Sequence, residues 1–374
     1  MDIQIKEVTT KKELKAFIKF PYQLYKGNSC FVPPLQFDEY ATLSKEKNPA
    51  FEYCEARYWL ALKNKKVVGR IAGIINHASI RKWEKNYIRF GWLDFEEDKK
   101  IASALLTEVE NWGKARNLDA IQGPMGFTDM DRAGMLIEGF DQLGMLATIY
   151  NYPYYPAYLQ DLGYKKEVDW LEFRIKVPGE VPDKIRQMAK IVTERLGLSV
   201  VKVNKAKEIR PYATEVFQLI NQAYANLHGV VELTEKQIKY YTNQYFSFIR
   251  PDYVTIVKDR EGKLAAFGIT MPSLSRALQK ANGKLFPLGF LYLLLALKKN
   301  TLADLYLVAV RPDLQNKGVN AIIMNEINLS YIKNGVHFAE ASPELETNHQ
   351  IQALWKYYET ESHKRRRCFI KLLL

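Results

Sequence analysis

At 374 residues the chain is too long for one ordinary hydrophobic core and suits two domains of comparable size. Its 47% hydrophobic and 26% charged residues are those of a soluble globular protein, and no segment reaches the ~18 apolar residues a membrane-spanning helix needs. The net charge of +12 favours polyanionic partners: a phosphorylated cofactor, an acidic membrane surface or nucleic acid. Cys30, Cys54 and Cys368 are widely spaced with no metal-ligand pattern, no zinc finger or RNA-binding signature is present, and the first residues lack a signal-peptide apolar region. The expectation is a cytoplasmic protein with reduced thiols and no metal.

In chain order, Asp2 to Val8 alternates as an edge strand does. Thr10 and Glu13 make a capping box ahead of a helix over Lys11 to Phe20, and Phe31 to Pro34 is a loop. Tyr58 to Leu62 and Val67 to Ile75 predict a hairpin turning at Lys63 to Lys66, and Tyr87 to Phe95 a third strand. Asp98 to Ala115 is helical, with Ile101, Leu105, Leu106, Val109 and Trp112 on one face. Ala120 to Gly123 is a short strand stopped by Pro124. Beyond Lys176 to Pro182 this order returns. It gives a strand at Leu198 to Val203, helices at Ile209 to Leu227 and Thr234 to Phe248, and a hairpin of Tyr253 to Lys258 with Leu264 to Met271. A strand from Leu305, a helix after Gly318 and a strand at His337 to Ala341 follow. The repetition implies a diverged internal duplication, with domains at 1–177 and 178–374.

Leu305 to Asn320 is the most informative stretch. An apolar, β-branched run reads as a strand buried on both faces, Arg311-Pro312-Asp313 stops it, and helical spacing resumes at Val319. Lys317 and Gly318 therefore sit in a strand-to-helix turn, where free amides and the helix dipole favour a phosphate.

Val308-x-Val310-x-Pro312-x-x-Gln315-x-x-Gly318-x-Asn320 resembles the acyl-CoA-binding signature of the GNAT N-acyltransferase superfamily, with Asn320 in place of a small residue. The whole chain resembles a bacterial two-domain branch, sharing Gly123 to Thr128, Leu136 to Asp141 and Lys364-x-Arg366-Arg367. The resemblance implies an α/β (α+β) fold of two tandem GNAT-like domains, each a mixed, mostly antiparallel sheet flanked by helices. It implies acetyl-CoA or a longer acyl-CoA, held in the second half by Val308, Ala309, Val310, Gln315, Asn316, Lys317, Gly318, Val319 and Asn320. Asn348 matches the family asparagine on the pantetheine arm. The family's thiolate-protonating tyrosine falls on Trp355, which leaves Tyr357 or Tyr358 as acid. The first half keeps Asn151, Tyr158 and Gly163-Tyr164. Its Gly91 to Asp98 lacks Gln-x-x-Gly and puts carboxylates where phosphate would sit, so it is expected not to bind CoA.

Acyl transfer to an amine needs a base, and Glu346, Glu340 and Glu344 lie at or just after the strand beside the cofactor groove, Glu346 being the first choice. His228, His337, His349 and His363 are further candidates. A backbone N–H near Ala309-Val310 would stabilise the oxyanion. The expected activity is acyl-CoA-dependent N-acylation of a small-molecule or lipid primary amine. The alternatives are an aminoacyl-tRNA-dependent, Fem-like peptidyl transferase and a non-catalytic CoA- or lipid-binding protein. Leu285 to Leu297, flanked by Lys280, Lys284, Lys298 and Lys299, reads as a helix under the sheet, or else as a wall for a long acyl chain or a peripheral membrane contact. His363 to Arg367 reads as a solvated edge strand, or as a site for the adenosine phosphate of CoA or for anionic lipid.

Overall fold

A computed structural model describes residues 2–246 and 249–373. In chain order the elements are β1 (Gln4–Glu7), α1 (Lys11–Leu24), α2 (Gln36–Leu43), β2 (Cys54–Lys63), β3 (Lys66–Asn76), α3 (His77–Trp83), β4 (Tyr87–Phe95), α4 (Lys99–Ala115), β5 (Ala120–Gly123), β6 (Met135–Glu138), α5 (Tyr154–Asp161) and β7 (Lys165–Lys176). There follow α6 (Asp183–Leu196), β8 (Ser199–Val200), α7 (Ala213–Ala223), α8 (Glu235–Tyr245), β9 (Val254–Lys258), β10 (Leu264–Pro272), α9 (Ser275–Ala281), α10 (Gly289–Lys298), β11 (Leu302–Val310), α11 (Asn320–Lys333), β12 (Phe338–Ala341), β13 (Glu344–Leu345), α12 (His349–Gln352) and β14 (Thr360–Leu372). The fold is α/β with mostly antiparallel strand pairing. The expected helix end at Phe248 lies outside the described residues.

The chain forms two compact units, Met1–Leu171 with Ser275–Leu293 and His363–Leu374, and Glu172–Leu274 with Leu294–Ser362. The sequence alone places one break at 177/178. The units change over inside β7, and two later segments lie with the first unit. β14 does so because its end pairs antiparallel with β5, from Phe369↔Gly123 to Leu372↔Ala120.

In the first unit the strands run β1-β2-β3-β4-β5-β14. The β2–β3 hairpin closes through Asn64 and Lys65 at φ +53° and +62°, the paired left-handed residues that match strand twist. The capping box forms, with Glu13 N–H on Thr10 Oγ1 (3.2 Å) and Glu13 Oε2 accepting from Thr9 N and Thr10 N (3.0 Å each). α4 buries Ile101, Leu105, Leu106 and Val109. Gly69 on β3 allows this packing, since a Cβ there would lie 2.8 Å from Ile101.

In the second unit the strands run β7-β12-β11-β10-β9-β8. Gly268 on β10 repeats the role of Gly69: a Cβ there would lie 2.6 Å from Ile323 of α11. The same kind of glycine-to-helix packing thus occurs within each unit.

Two basic or apolar runs sit differently from expectation. α10 is not under the sheet but on the surface, with Phe290, Leu291, Leu294 and Leu295 exposed. His363 to Arg367 is no solvated edge, because β14 lies beside β5 and also pairs β6. Lys364 and Arg366 are buried, and Lys364 Nζ donates to Leu143 O at 3.1 Å. Asp169, wholly buried, accepts from Arg365 Nε (2.6 Å) and from Arg367 Nε and Nη2 (2.8 and 3.0 Å). These guanidiniums are held by a carboxylate in the fold, which removes them as a phosphate site.

Burial works against ionisation of Asp169, but the hydrogen bonds from Arg367 and Arg365 outweigh it and hold its carboxyl below the ordinary range. The stability it contributes is present above its unfolded value of about 3.9 and lost as pH falls through the depressed folded value. Asp169→Ala is expected to lower the unfolding free energy by about 3 kcal/mol at pH 7, read from urea unfolding, with the gap to wild type closing on acidification.

Candidate active site

β11 pairs with β10 from Ala303↔Pro272 to Val310↔Ala266, but with β12 only from Leu302↔Phe338 to Leu305↔Ala341. Beyond Ala341 the chain turns off at Ser342-Pro343, and the Ser342 N–H and hydroxyl donate to Leu305 O at 3.0 and 2.6 Å. Tyr306 to Val310 thus continue past the last β12 pair. Arg311 N–H donates to Ala265 O at 2.9 Å. Because an antiparallel ladder alternates, Ala309 also faces β10, and Val308 and Val310 turn their backbone groups to the edge that β12 has left. Two bonds fit this parity: Tyr224 Oη donates to Val308 O at 2.9 Å, and Gln315 Nε2 donates to Val310 O at 3.1 Å. Of the backbone N–H groups near Ala309-Val310, those of Val308 and Val310 are the ones that face this edge.

Next comes a 3-10 turn at Pro312–Leu314, then Asn316 and Gly318 at φ +60° and +84°, and α11 begins at Asn320. Val319 at the helix start offers no side-chain cap. Ala321 N and Ile322 N bond back to Gly318 O and Val319 O, which leaves the amides of Gly318, Val319 and Asn320 at the mouth of the helix. Lys317 is exposed there, and its carbonyl accepts from Arg195 Nη2 at 2.9 Å. Positive potential and free donors at one turn suit a pyrophosphate. Gln315 is committed to the strand end rather than to the turn's mouth.

The first unit has the same parting but closes it. β4 pairs with β5 only over Tyr87–Arg89. At the strand end, Phe95 N donates to Tyr155 Oη at 2.8 Å and Phe95 O accepts from Tyr154 Oη at 2.7 Å. Asp98 caps α4 with its own carboxylate, accepting from Lys100 N at 3.0 Å. Tyr158 packs with this unit's core, its ring 6.3 Å from that of Phe95. A cleft of 490 Å³ beside these residues is lined by Glu96, Glu97, Tyr152 and Tyr154.

The remaining candidates lie in the second unit. Glu340 is buried on β12 and ion-paired with Arg174 Nε at 2.8 Å. Glu346 is half-buried in the turn before α12, with its carbonyl 3.4 Å from Gln352 Nε2. Asn348 caps α12, accepting from Ile351 N at 3.5 Å. Both Glu344 carboxylate oxygens lie 3.2 Å from Trp355 Nε1. Burial pushes the Glu344 carboxyl up to about 8, against the opposing pull of the indole N–H. Tyr358 Oη accepts from Asn328 Nδ2 at 2.8 Å, and burial raises its phenol to about 12. His337 and His349 are exposed, whereas His363 is buried in β14.

Sequence reasoning ranked Glu344 behind Glu346 and passed over Tyr224. The signal available for Glu344 was Trp355, which supplies the indole donor. Tyr224 carries no local signal, since only the fold brings it to Val308.

A raised carboxyl pKa makes stability fall as pH climbs from the unfolded value of 4.5 toward 8, with the full penalty above 8. Glu344→Gln is therefore expected to melt a few degrees higher than wild type at pH 9 and level with it below pH 4.5, in thermal scans across pH.

No family model matches the chain. It is 26% identical over 374 residues to Protein YghO of Escherichia coli K12, covering 98% of this chain and 95% of that one. It is 25% identical over 301 residues to the bacterial ceramide synthase of Caulobacter vibrioides, covering 79% and 77%. Among solved structures, a tandem GNAT protein from the clavulanic acid biosynthesis pathway aligns over 100% of this chain and 99% of its own, with a TM-score of 0.57 at 14% identity. A GCN5-related N-acetyltransferase from Sphaerobacter thermophilus aligns over 99% and 96%, with a TM-score of 0.54 at 8% identity. With a strand that parts from its parallel neighbour in each unit, this chain has the tandem GNAT fold.

Proposed function

We propose that the protein is an acyl-CoA-dependent N-acyltransferase whose second unit takes the thioester. The observation that carries this is the open edge of β11 at Val308 and Val310, next to the side-chain-uncapped start of α11. The amides of Gly318, Val319 and Asn320, with Lys317, would hold the pyrophosphate, and the backbone of Val308 and Val310 the pantetheine arm. The cofactor supplies an activated acyl group; the chain supplies donors and proton carriers.

An alkylamine of pKa about 10.4 is neutral only about once in 10³–10⁴ at pH 7, so its proton must be taken. Glu344 is the base we assign, because a carboxyl raised to about 8 holds a proton far better than an ordinary one. Tyr358 stays protonated at neutral pH and would donate from Oη to the leaving sulfur. Val308 O, which accepts from Tyr224 Oη, has a second lone pair with which it could accept from a ligand amide. Glu340, Glu346 and Asn348 then serve the fold, through the Arg174 pair and the α12 turn. The likeness to a ceramide synthase favours a lipid amine and a long acyl chain over acetyl transfer to a small amine.

Calorimetric titration with CoA, acetyl-CoA and palmitoyl-CoA tests the cofactor assignment. Wild type is expected to bind at least one of them. Gly318→Glu, with a side chain forced into φ +84° and a carboxylate at the phosphate turn, is expected to lose about 100-fold or more in affinity. Absence of binding at every chain length sinks the reading and makes aminoacyl-tRNA the next ligand to titrate. For the base, kcat/KM should climb with pH through about 8, and Glu344→Gln should lose that limb together with about 10²–10⁴-fold in rate.

A further inference from the structure

α10 inverts the pattern of an ordinary surface helix. Gly289, Leu293 and Leu297 are its buried stripe, at four-residue spacing. The outward arc, roughly 140° wide at about 100° per residue, carries Phe290, Leu291, Leu294 and Leu295, which are 40–56% exposed. In the turn ahead, Phe286 and Leu288 are 72% and 53% exposed, and the Phe286 and Phe290 rings lie 5.7 Å apart. Six large apolar side chains thus face water together, which is costly for a free surface.

Along the chain, the charge flanking this patch has one sign. From Gly262 to Ala303 the chain contains no Asp or Glu, while Lys280 and Lys284 precede the patch and Lys298 and Lys299 follow it, all four exposed. Lys298 lies on the same outward arc as Leu291 and Leu294. An apolar face edged by ammonium groups fits the boundary between acyl chains and phosphate headgroups, where the lysine stems extend toward the phosphates. A second copy of the chain would bring like-charged lysines against these and gain no opposite charge from this stretch. At ten residues α10 is about 15 Å long, half the ~30 Å hydrocarbon thickness, so it lies along a leaflet. Among the described residues no helix is long and apolar enough to cross a membrane.

We propose that α10 and the turn before it seat the protein on the surface of an anionic lipid bilayer. The inference rests on the exposed patch and not on the acyl-transfer reading, so each can fail without the other.

Co-sedimentation with vesicles of phosphatidylcholine alone, and of phosphatidylcholine mixed with phosphatidylglycerol, tests it on the full chain. Wild type should pellet with the anionic vesicles and only weakly with the neutral ones. Leu294→Glu/Leu295→Glu changes outward side chains and should weaken anionic-vesicle binding by about tenfold or more, with an unchanged melting temperature and unchanged CoA titration. Lys298→Glu/Lys299→Glu should weaken binding to anionic vesicles only, and added salt should remove the difference. Wild type remaining in the supernatant with anionic vesicles overturns the proposal. So does vesicle binding that neither double variant changes. A wild-type dimer by sedimentation velocity, dissolved by Leu294→Glu/Leu295→Glu without any vesicle binding, overturns it in favour of a second copy.

Discussion

Every backbone N–H and C=O that leaves a β-ladder inside a folded chain needs another partner, and this constraint shapes both units. In each, a long strand runs parallel to a short neighbour for a few residues and then continues without it. The groups left at that edge must be met by side chains, by water or by a ligand. In the first unit Tyr154 and Tyr155 meet them at Phe95, and Asp98 satisfies the start of the following helix. In the second unit the carbonyls of Val308 and Val310 are held by Tyr224 and Gln315, while α11 opens without a side-chain cap. One unit thus closes its edge with side chains, and the other retains donors that a phosphate and an amide-bearing arm would satisfy.

Much of the fold was legible because its signals are local. Thr10 with Glu13, the Asn64-Lys65 turn, the apolar face of α4 and the strand–turn–helix around Gly318 are each set by a few neighbouring residues. The misreadings concern long-range placement. Periodicity gives α10 as apolar nearly all round, which ordinarily means burial; which side faces water depends on elements far away in sequence. The basic run at His363 to Arg367 looked solvated because its partner, Asp169, lies almost two hundred residues earlier. The compact units differ from a single break at 177/178 for a similar reason, since β14 and the α9 segment join the first unit by pairing and packing with no local signature.

The strand–turn–helix around Gly318 was legible as a loop, but the environments of the nearby carboxyls were not. The Gln315-to-Gly318 spacing marks the turn, and its glycine does adopt the left-handed backbone the turn requires. Proton affinity depends on burial and partners instead. Three glutamates within seven residues look alike in sequence, yet Glu340 is tied to an arginine, Glu346 lies in a half-buried turn, and Glu344 is desolvated against an indole. Burial moves the proton affinity of Glu344 toward neutral pH, in an environment that strand, turn and 3-10 helix build together.

Net charge, too, changes meaning once it is located. A total of +12 suggests polyanion binding by the whole chain, but Arg365 and Arg367 spend their charge on Asp169, and Arg311 on Asp259 and Asp313. What remains for a partner is the charge with no carboxylate beside it, and the longest such stretch surrounds the exposed face of α10. An anion drawn there would meet leucine and phenylalanine next to lysine, whereas one drawn to the α11 turn would meet backbone amides with Lys317 and Arg195. The first environment suits a surface that is apolar just beneath its charge; the second suits a compact phosphate. On the two proposals made above, the anionic ligands would differ in shape and would not compete for the same cations.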